Sequence, residues 1–106
     1  MKVKTYGEEV EKLIITFGEV RLIENTLGLS GEAGEVAEKV KKYFRDDDES
    51  DLDKEGLIKE LGDVLFYVTA LANYIGSDLQ TVMNTNIRKL HDRLERNKIQ
   101  GSGDNR

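Results

Sequence analysis

Residues 60–72 read ELGDVLFYVTALA, an acidic pair followed directly by an apolar run. Glu60 and Asp63 are three positions apart, so on a helix their carboxylates share one face. A helix that continues into this many apolar residues packs against the protein interior, where an unpaired charge is expensive. The stretch therefore predicts a helix at the edge of the core whose two acids need a positive partner.

Another acidic pair, Glu32 and Glu35, has the same spacing and lies earlier in the chain. The two pairs are separated by 24 residues. If the two helices pack antiparallel, four carboxylates converge, and their repulsion favours a divalent cation between them. The chain has no cysteine and one histidine, so the ligands would be oxygens, the donors that Mg²⁺, Mn²⁺ and Ca²⁺ prefer. The alternative interpretation is that all four are ordinary surface acids.

Three glycines flank the acids: Gly31, Gly34 and Gly62. A glycine inside a helix costs about 1 kcal/mol relative to alanine. We expect close helix approach, or room for a metal ion and its water, to compensate for that loss.

Apolar periodicity predicts four helices with short connections. We expect the first helix to begin with a capping box at Thr5. Serine N-caps are expected for the other three helices, at Ser30, Ser50 and Ser77. A start at Ser30 would place Glu32 in the first turn, where the helix macrodipole favours negative charge. This pattern predicts an all-α four-helix bundle, a fold that builds metal sites between facing helices.

At 106 residues the chain is expected to form a single domain, residues 1–106. Its last six residues, GSGDNR, supply no core-forming side chain, and we expect a flexible or substrate-covering tail at about 97–106. The net charge of −5 argues against binding of a nucleic-acid polymer through a basic surface. No signal peptide and no apolar stretch of about 18 residues is evident, so we expect a cytoplasmic protein without a membrane partner.

Two stretches together resemble the MazG family of nucleotide pyrophosphohydrolases: GLSGEAGEV at 28–36 and ELGDVLFY at 60–67. The family signature is an ExxE pair followed by an ExxD pair at about this separation. The resemblance covers roughly residues 26–106 and includes the C-terminal stretch. Many members carry a further glutamate directly before the ExxE pair, where this chain has Gly31.

The resemblance implies a four-helix, all-α nucleoside triphosphate pyrophosphohydrolase that depends on Mg²⁺, with Mn²⁺ as a substitute. Such an enzyme cleaves an NTP or dNTP to the monophosphate and pyrophosphate, including house-cleaning of non-standard nucleotides. It also implies a homodimer or homotetramer in which subunits pair to complete the site. The metal ligands would be Glu32, Glu35, Glu60 and Asp63, and either Glu35 or Glu32 would be the general base.

Substrate contacts are expected mainly from one face of the fourth helix, where three polar side chains recur at i, i+3 and i+7. The expected contacts are Asn86, Lys89 and Arg93, with Lys42 and Arg106 as further candidates. An ordinary polar helix face would look the same. Tyr67 and Tyr74 are either packing residues or groups that stack on the base.

Two other functions fit the same residues. One is a related pyrophosphohydrolase of the phosphoribosyl-ATP type on the same fold. The other is a non-catalytic helical interaction or regulatory module that keeps the acidic pairs as structure. Stabilisation by Mg²⁺ would distinguish the enzymes from the interaction module, because a ligand that binds only the native state raises its melting temperature.

Overall fold

The computed structural model describes residues 1–46 and 52–96. Across these ranges the chain forms four α-helices and no strand, so the all-α prediction is confirmed. The helices are α1 (Val3–Leu13), α2 (Gly18–Arg45), α3 (Lys54–Tyr74) and α4 (Leu79–Glu95). The expected tail at 97–106 and the expected cap at Ser50 lie outside the described residues.

Helices α2 and α3 form an antiparallel hairpin, as the convergence of the acidic pairs requires. Near the middle of the hairpin Gly28 lies against Tyr67, and near its closed end Lys39 Nζ lies 3.5 Å from Asp53 Oδ2. Later residues of α2 therefore lie beside earlier residues of α3, so the two helices run antiparallel. Helices α1 and α4 both pack on α3 and on each other.

Helix α2 begins thirteen residues earlier than the serine pattern predicts, since Phe17 rather than Ser30 is at the N-cap position. Gly18, at φ +61°, turns the chain from the extended connection into the helix, and Ser30 lies inside it. The prediction of an N-cap at Ser30 is wrong, because packing against α3 carries the helix through the polar residues around Asn25. Glu32 is consequently in mid-helix, far from the positive end of the macrodipole.

The other predicted caps also shift. Helix α1 begins at Val3 without a side-chain cap, so the box at Thr5 is wrong. Aspartates cap the last two helices: Asp53 accepts from Gly56 N at 2.9 Å, and Asp78 accepts from Thr81 N at 2.7 Å.

Asp78 takes the N-cap position of α4 in place of Ser77, and the backbone of Ser77 closes α3. Gly76, at φ +78°, donates its N–H to Asn73 O at 3.0 Å, and Ser77 donates its N–H to Ala72 O at 2.9 Å. These two bonds form a Schellman motif, which satisfies the last carbonyls of a helix. The expectation that Gly76 ends the third helix is met, and the next helix starts one residue later than predicted.

The interior of the described chain is small. The buried apolar residues are Val10, Ala70, Ala72 and Leu79. Much of the apolar surface of α2 and α3 faces outward, including Leu27 at 66% exposure and Leu61 at 53%. None of the described helices has the length and hydrophobicity needed to cross a membrane.

Candidate metal centre

Three carboxylates from two helices meet beside the α2–α3 contact. Glu32 of α2 and Glu60 and Asp63 of α3 each offer an oxygen, and these oxygens lie within 4.8 Å of one another. The antiparallel hairpin produces this cluster, since Glu60 and Asp63 share one face of α3 and that face meets Glu32. Three acidic oxygens at this spacing form a donor set suited to a hard divalent cation.

The pKa of Glu32 is raised, as expected for a carboxylate in a group of acids that would bind a cation. Its partial burial raises the pKa of the Glu32 carboxyl, and the hydrogen bond with Glu60 raises it further. The negative charges of Asp63, Glu60 and Glu35 act in the same direction. Among the described side chains, every charge that acts on Glu32 is therefore negative, and a bound cation would relieve the repulsion.

Glu35 is the fourth predicted ligand, and it stands apart from the three. It is exposed on α2, one turn beyond Glu32, and its oxygens do not join the cluster. Its charge still reaches Glu32, because it contributes to the raised pKa of that group. The position leaves the Glu35 carboxylate open to solvent at the edge of the cluster.

Tyr6 of α1 lies close enough to the cluster to sense Asp63. Burial raises the pKa of the Tyr6 phenol, and the charge of Asp63 raises it further. The hydroxyl therefore stays protonated and can donate a hydrogen bond. Nothing in the spacing of residues in α1 marked Tyr6, since only the packing of α1 on α3 brings it to this place.

The flanking glycines do not mark close approach within the chain. A Cβ added at Gly31, Gly34 or Gly62 would meet no atom within 4 Å. Close approach occurs instead at Gly28, where a Cβ would lie 2.4 Å from the Tyr67 ring. Of the two expectations for these glycines, close helix approach is not found within the described residues, and the space beside all three is open.

The predicted substrate contacts lie on two helices and differ in exposure. Lys42 is ten residues beyond Glu32, about 15 Å along α2, and its charge acts on Asp46. On α4, Asn86 is exposed, Lys89 is half-buried and Arg93 is 4% exposed. Arg106 lies outside the described residues.

Comparison with known proteins agrees with the sequence motifs. Residues 22–97 match the family model described as MazG nucleotide pyrophosphohydrolase domain. The chain is also similar to the Gene 37 protein of Mycobacterium phage L5, with 52% identity over 83 residues that span 76% of this chain and 73% of that protein. No solved structure matches. The segment that matches the family model, residues 22–97, contains both acidic pairs, α3 and α4, and does not include α1.

Proposed function

The chain belongs to the MazG nucleotide pyrophosphohydrolase family, and from that premise we propose that it hydrolyses nucleoside triphosphates to the monophosphate and pyrophosphate with Mg²⁺. The observation that carries the proposal is the cluster of Glu32, Glu60 and Asp63. These three side chains would hold the cation. When bound, Mg²⁺ neutralises phosphate charge, stabilises the charge that develops in the transition state and lowers the pKa of a bound water.

Glu35 is the proposed general base. It lies outside the three-carboxylate cluster and is exposed, so one carboxylate oxygen is available to take a proton from the attacking water. Glu32 is less suited to this role, because its partial burial and its hydrogen bond to Glu60 commit it to the cluster. The water oxygen attacks phosphorus, the bridging P–O bond breaks, and the proton passes to Glu35.

Tyr6 is proposed as a hydrogen-bond donor at the edge of the site. Its raised pKa keeps the phenol protonated beside Asp63. A neutral donor there orients a carboxylate or a substrate oxygen without adding charge. Lys89 remains a proposed phosphate contact, whereas the burial of Arg93 favours a packing role for that side chain.

A second copy of the chain is proposed to cover the exposed apolar face. On α2 the residues Val20, Ile23 and Leu27 are 58%, 58% and 66% exposed, and their spacing continues into Gly31 and Gly34. Such an i, i+3, i+7, i+11, i+14 row forms a seam in paired helices, and open glycines along it let another backbone approach. We therefore propose a homodimer or homotetramer packed through this row.

The direct test is a panel of NTPs and dNTPs incubated with Mg²⁺ and assayed for both products. Pyrophosphate and the monophosphate should appear in equal amounts. Release of orthophosphate alone, or survival of every nucleotide, would overturn the proposal.

A matched pair of variants on α3 locates the activity. Glu60→Gln removes a cluster carboxylate and should abolish turnover. Glu55→Gln makes the same change at an exposed position of the same helix and should not alter turnover. Equal activity in both variants would place the chemistry elsewhere.

A further inference from the structure

Lys39 lies on the face of α2 that meets α3, between the carboxylate cluster and the closed end of the hairpin. It follows Glu32 by seven residues, nearly two full turns, so the two side chains leave the helix on the same face. A Cβ added at Gly56 of α3 would lie 2.9 Å from Lys39 Cε, so the lysine side chain runs directly against α3. None of the roles assigned to the carboxylate cluster involves this cation.

The ammonium group of Lys39 has an exchangeable partner in Asp53. Lys39 Nζ lies 3.5 Å from Asp53 Oδ2, and the two side chains are 31% and 62% exposed. The closer partner of Asp53 is the Gly56 N–H, which donates to Oδ1 at 2.9 Å and is the largest cause of the lowered pKa of the Asp53 carboxyl. Exposed ion pairs of this length contribute little to stability. Lys39 can therefore leave Asp53 for a stronger anion, and the cap of α3 is kept.

The carboxylate cluster is within reach of the same side chain. Glu60 is four residues beyond Gly56, about 6 Å along α3, and Glu32 is about 10 Å from Lys39 along α2. The Cα–Cβ bonds of a helix tilt toward its N-terminus, which for Lys39 is the direction of Glu32. A chain of phosphates that begins on a cation at the cluster and runs toward the closed end would meet the Lys39 ammonium.

The charges at the cluster give a phosphate chain a reason to use this lysine. Among the described side chains, those that act on Glu32 are all negative, and triphosphate and pyrophosphate are themselves polyanions. Mg²⁺ carries two positive charges and keeps several of its waters, so phosphates beyond the metal ion need a further cation. Lys42, the candidate from the sequence on the same helix, acts on Asp46 near the helix end instead.

We propose that Lys39 exchanges Asp53 for the terminal phosphates of the nucleotide, which leave as pyrophosphate, an inference that rests on the proposed function. The lysine ammonium is a compact point charge that suits a phosphate chain. The triphosphate then lies along the hairpin with its terminal phosphate toward the closed end. Lys39 contacts the pyrophosphate product and makes no contact with the monophosphate.

Product inhibition separates the two ends of the nucleotide. With Mg²⁺ and the NTP that wild type cleaves fastest, Lys39→Gln should raise the KM of the NTP and the inhibition constant of pyrophosphate about tenfold, the effect of one hydrogen bond to a charged group. The inhibition constant of the monophosphate should not change.

Two variants control for this result. Lys39→Arg keeps the cation and should restore most of the affinity for pyrophosphate. Lys41→Gln removes a lysine of the same helix that is 62% exposed, and it should behave as wild type. An equal change for both products in Lys39→Gln, or no change for pyrophosphate, would overturn the inference.

Asp53→Asn tests the exchange in the opposite direction. Asparagine caps a helix as well as aspartate does but does not hold the lysine by charge, so the inhibition constant of pyrophosphate should fall about two- to threefold. Glu55→Gln removes an acid from the first turn of the same helix and should leave that constant unchanged. If the Lys39–Asp53 pair serves only the fold, Lys39→Gln and Asp53→Asn should both melt lower with the pyrophosphate constant unchanged, which would overturn the inference.

Calorimetry decides the assignment without turnover. Pyrophosphate titrated at saturating Mg²⁺ should bind wild type about tenfold more tightly than Lys39→Gln. If wild type cleaves NTPs and both proteins bind pyrophosphate equally, the Lys39 assignment fails and the pyrophosphohydrolase stands. If wild type cleaves no nucleotide, the proposed function fails, and the calorimetric difference alone decides whether Lys39 binds pyrophosphate.

Discussion

Glu11 of α1 and Arg21 of α2 form a two-point ion pair, in which Arg21 Nη1 lies 3.1 Å from Glu11 Oε2 and Nη2 bonds the other oxygen. The pair links the two helices in addition to the short connection between them. Arg21 also donates to Ala70 O of α3 at 3.2 Å, and Asn73 of α3 donates to Glu11 at 3.1 Å. Three helices therefore meet at one carboxylate.

Acid should weaken this junction. The hydrogen bond from Arg21 lowers the pKa of Glu11 below its usual 4.5, and that from Asn73 adds to the effect. The stabilisation is therefore complete above pH 4.5 and is lost as the pH falls through the lower, folded-state pKa. Because the side chain is 43% exposed, we expect a loss of about 1 kcal/mol or less. Melting curves across pH 3 to 7 should show it in wild type and not in Glu11→Gln.

The matched control for that experiment is Glu9→Gln. Glu9 lies on the same helix and pairs with Lys12, whose Nζ is 2.9 Å from Glu9 Oε1. This variant should keep the acid dependence of wild type. Identical pH profiles for wild type and Glu11→Gln would remove the junction as a source of stability.

Neutralising Glu32 should stabilise the metal-free protein and abolish its response to Mg²⁺. The folded-state pKa of Glu32 is raised, so its ionisation opposes folding once the pH exceeds 4.5, and the penalty persists at neutral pH. Glu32→Gln removes that penalty and also removes a ligand. Wild type should gain about 2.7 kcal/mol from Mg²⁺ at a hundredfold excess over Kd. Melting scans at pH 7 with and without Mg²⁺ measure both effects.

In those scans Glu19→Gln serves as the comparison, since Glu19 is exposed at the beginning of the same helix. It should respond to Mg²⁺ as wild type does. A Glu32→Gln protein that Mg²⁺ still stabilises fully would exclude Glu32 as a ligand.

Asp63→Asn should lower kcat at least about 100-fold, or roughly 2.7 kcal/mol of barrier, because the cluster loses a charged oxygen. Circular dichroism should show unchanged helical content, since the exposed Asp63 side chain does not hold the helix together. Asp92→Asn, at an exposed position of α4 where Asp92 pairs with Arg96, should retain full kcat. Full activity in Asp63→Asn would contradict the site assignment.

Gly28→Ala and Gly34→Ala should have opposite effects on the stability of the isolated chain. A Cβ at Gly28 would lie 2.4 Å from the Tyr67 ring, and forcing that ring away costs about 1–3 kcal/mol. At Gly34 the added methyl meets no atom, and the helix gains about 1 kcal/mol. Urea unfolding at a concentration where the protein is monomeric measures the difference. Equal midpoints would show that Tyr67 moves without cost.

Leu27→Asp should dissociate the proposed oligomer while the fold is kept. Leu27 is 66% exposed in the single chain, so a charge there costs the monomer little but is buried when a second copy covers the row. Leu94→Asp changes a similarly exposed leucine, at 65%, on α4 and should preserve the assembly. Light scattering after size exclusion gives both masses. A monomeric wild-type protein would contradict the proposed homodimer or homotetramer.

The apolar periodicity predicted four helices, and the spacing of the acids predicted that four carboxylates would converge if the two helices packed antiparallel. Glu32, Glu60 and Asp63 do meet, whereas Glu35 lies outside the cluster. Both predictions follow from helix geometry alone, because an antiparallel pair brings i, i+3 faces together. The serine caps failed for a different reason. Cap signals are local, and at Ser30 packing against α3 outweighed them, while the neighbouring Asp78 caps α4 in place of Ser77.

Contacts between distant segments were beyond the reach of the sequence. Tyr6 approaches Asp63 only because α1 packs on α3. Asn25 is a polar residue with only 4% exposure, and no spacing rule predicts that burial. The exposure of Glu35 likewise depends on where the α2–α3 contact runs, which no spacing rule fixes.

Helix α2 is one uninterrupted element of 28 residues, so Arg21, Asn25 and Glu32 have fixed positions relative to one another. One residue inserted between Asn25 and Glu32 would rotate the Asn25 side chain by about 100° around the helix axis relative to the Glu32 side chain. An insertion or deletion within α2 between Arg21 and Glu32 would therefore rotate the Glu11–Arg21 ion pair against the carboxylate cluster.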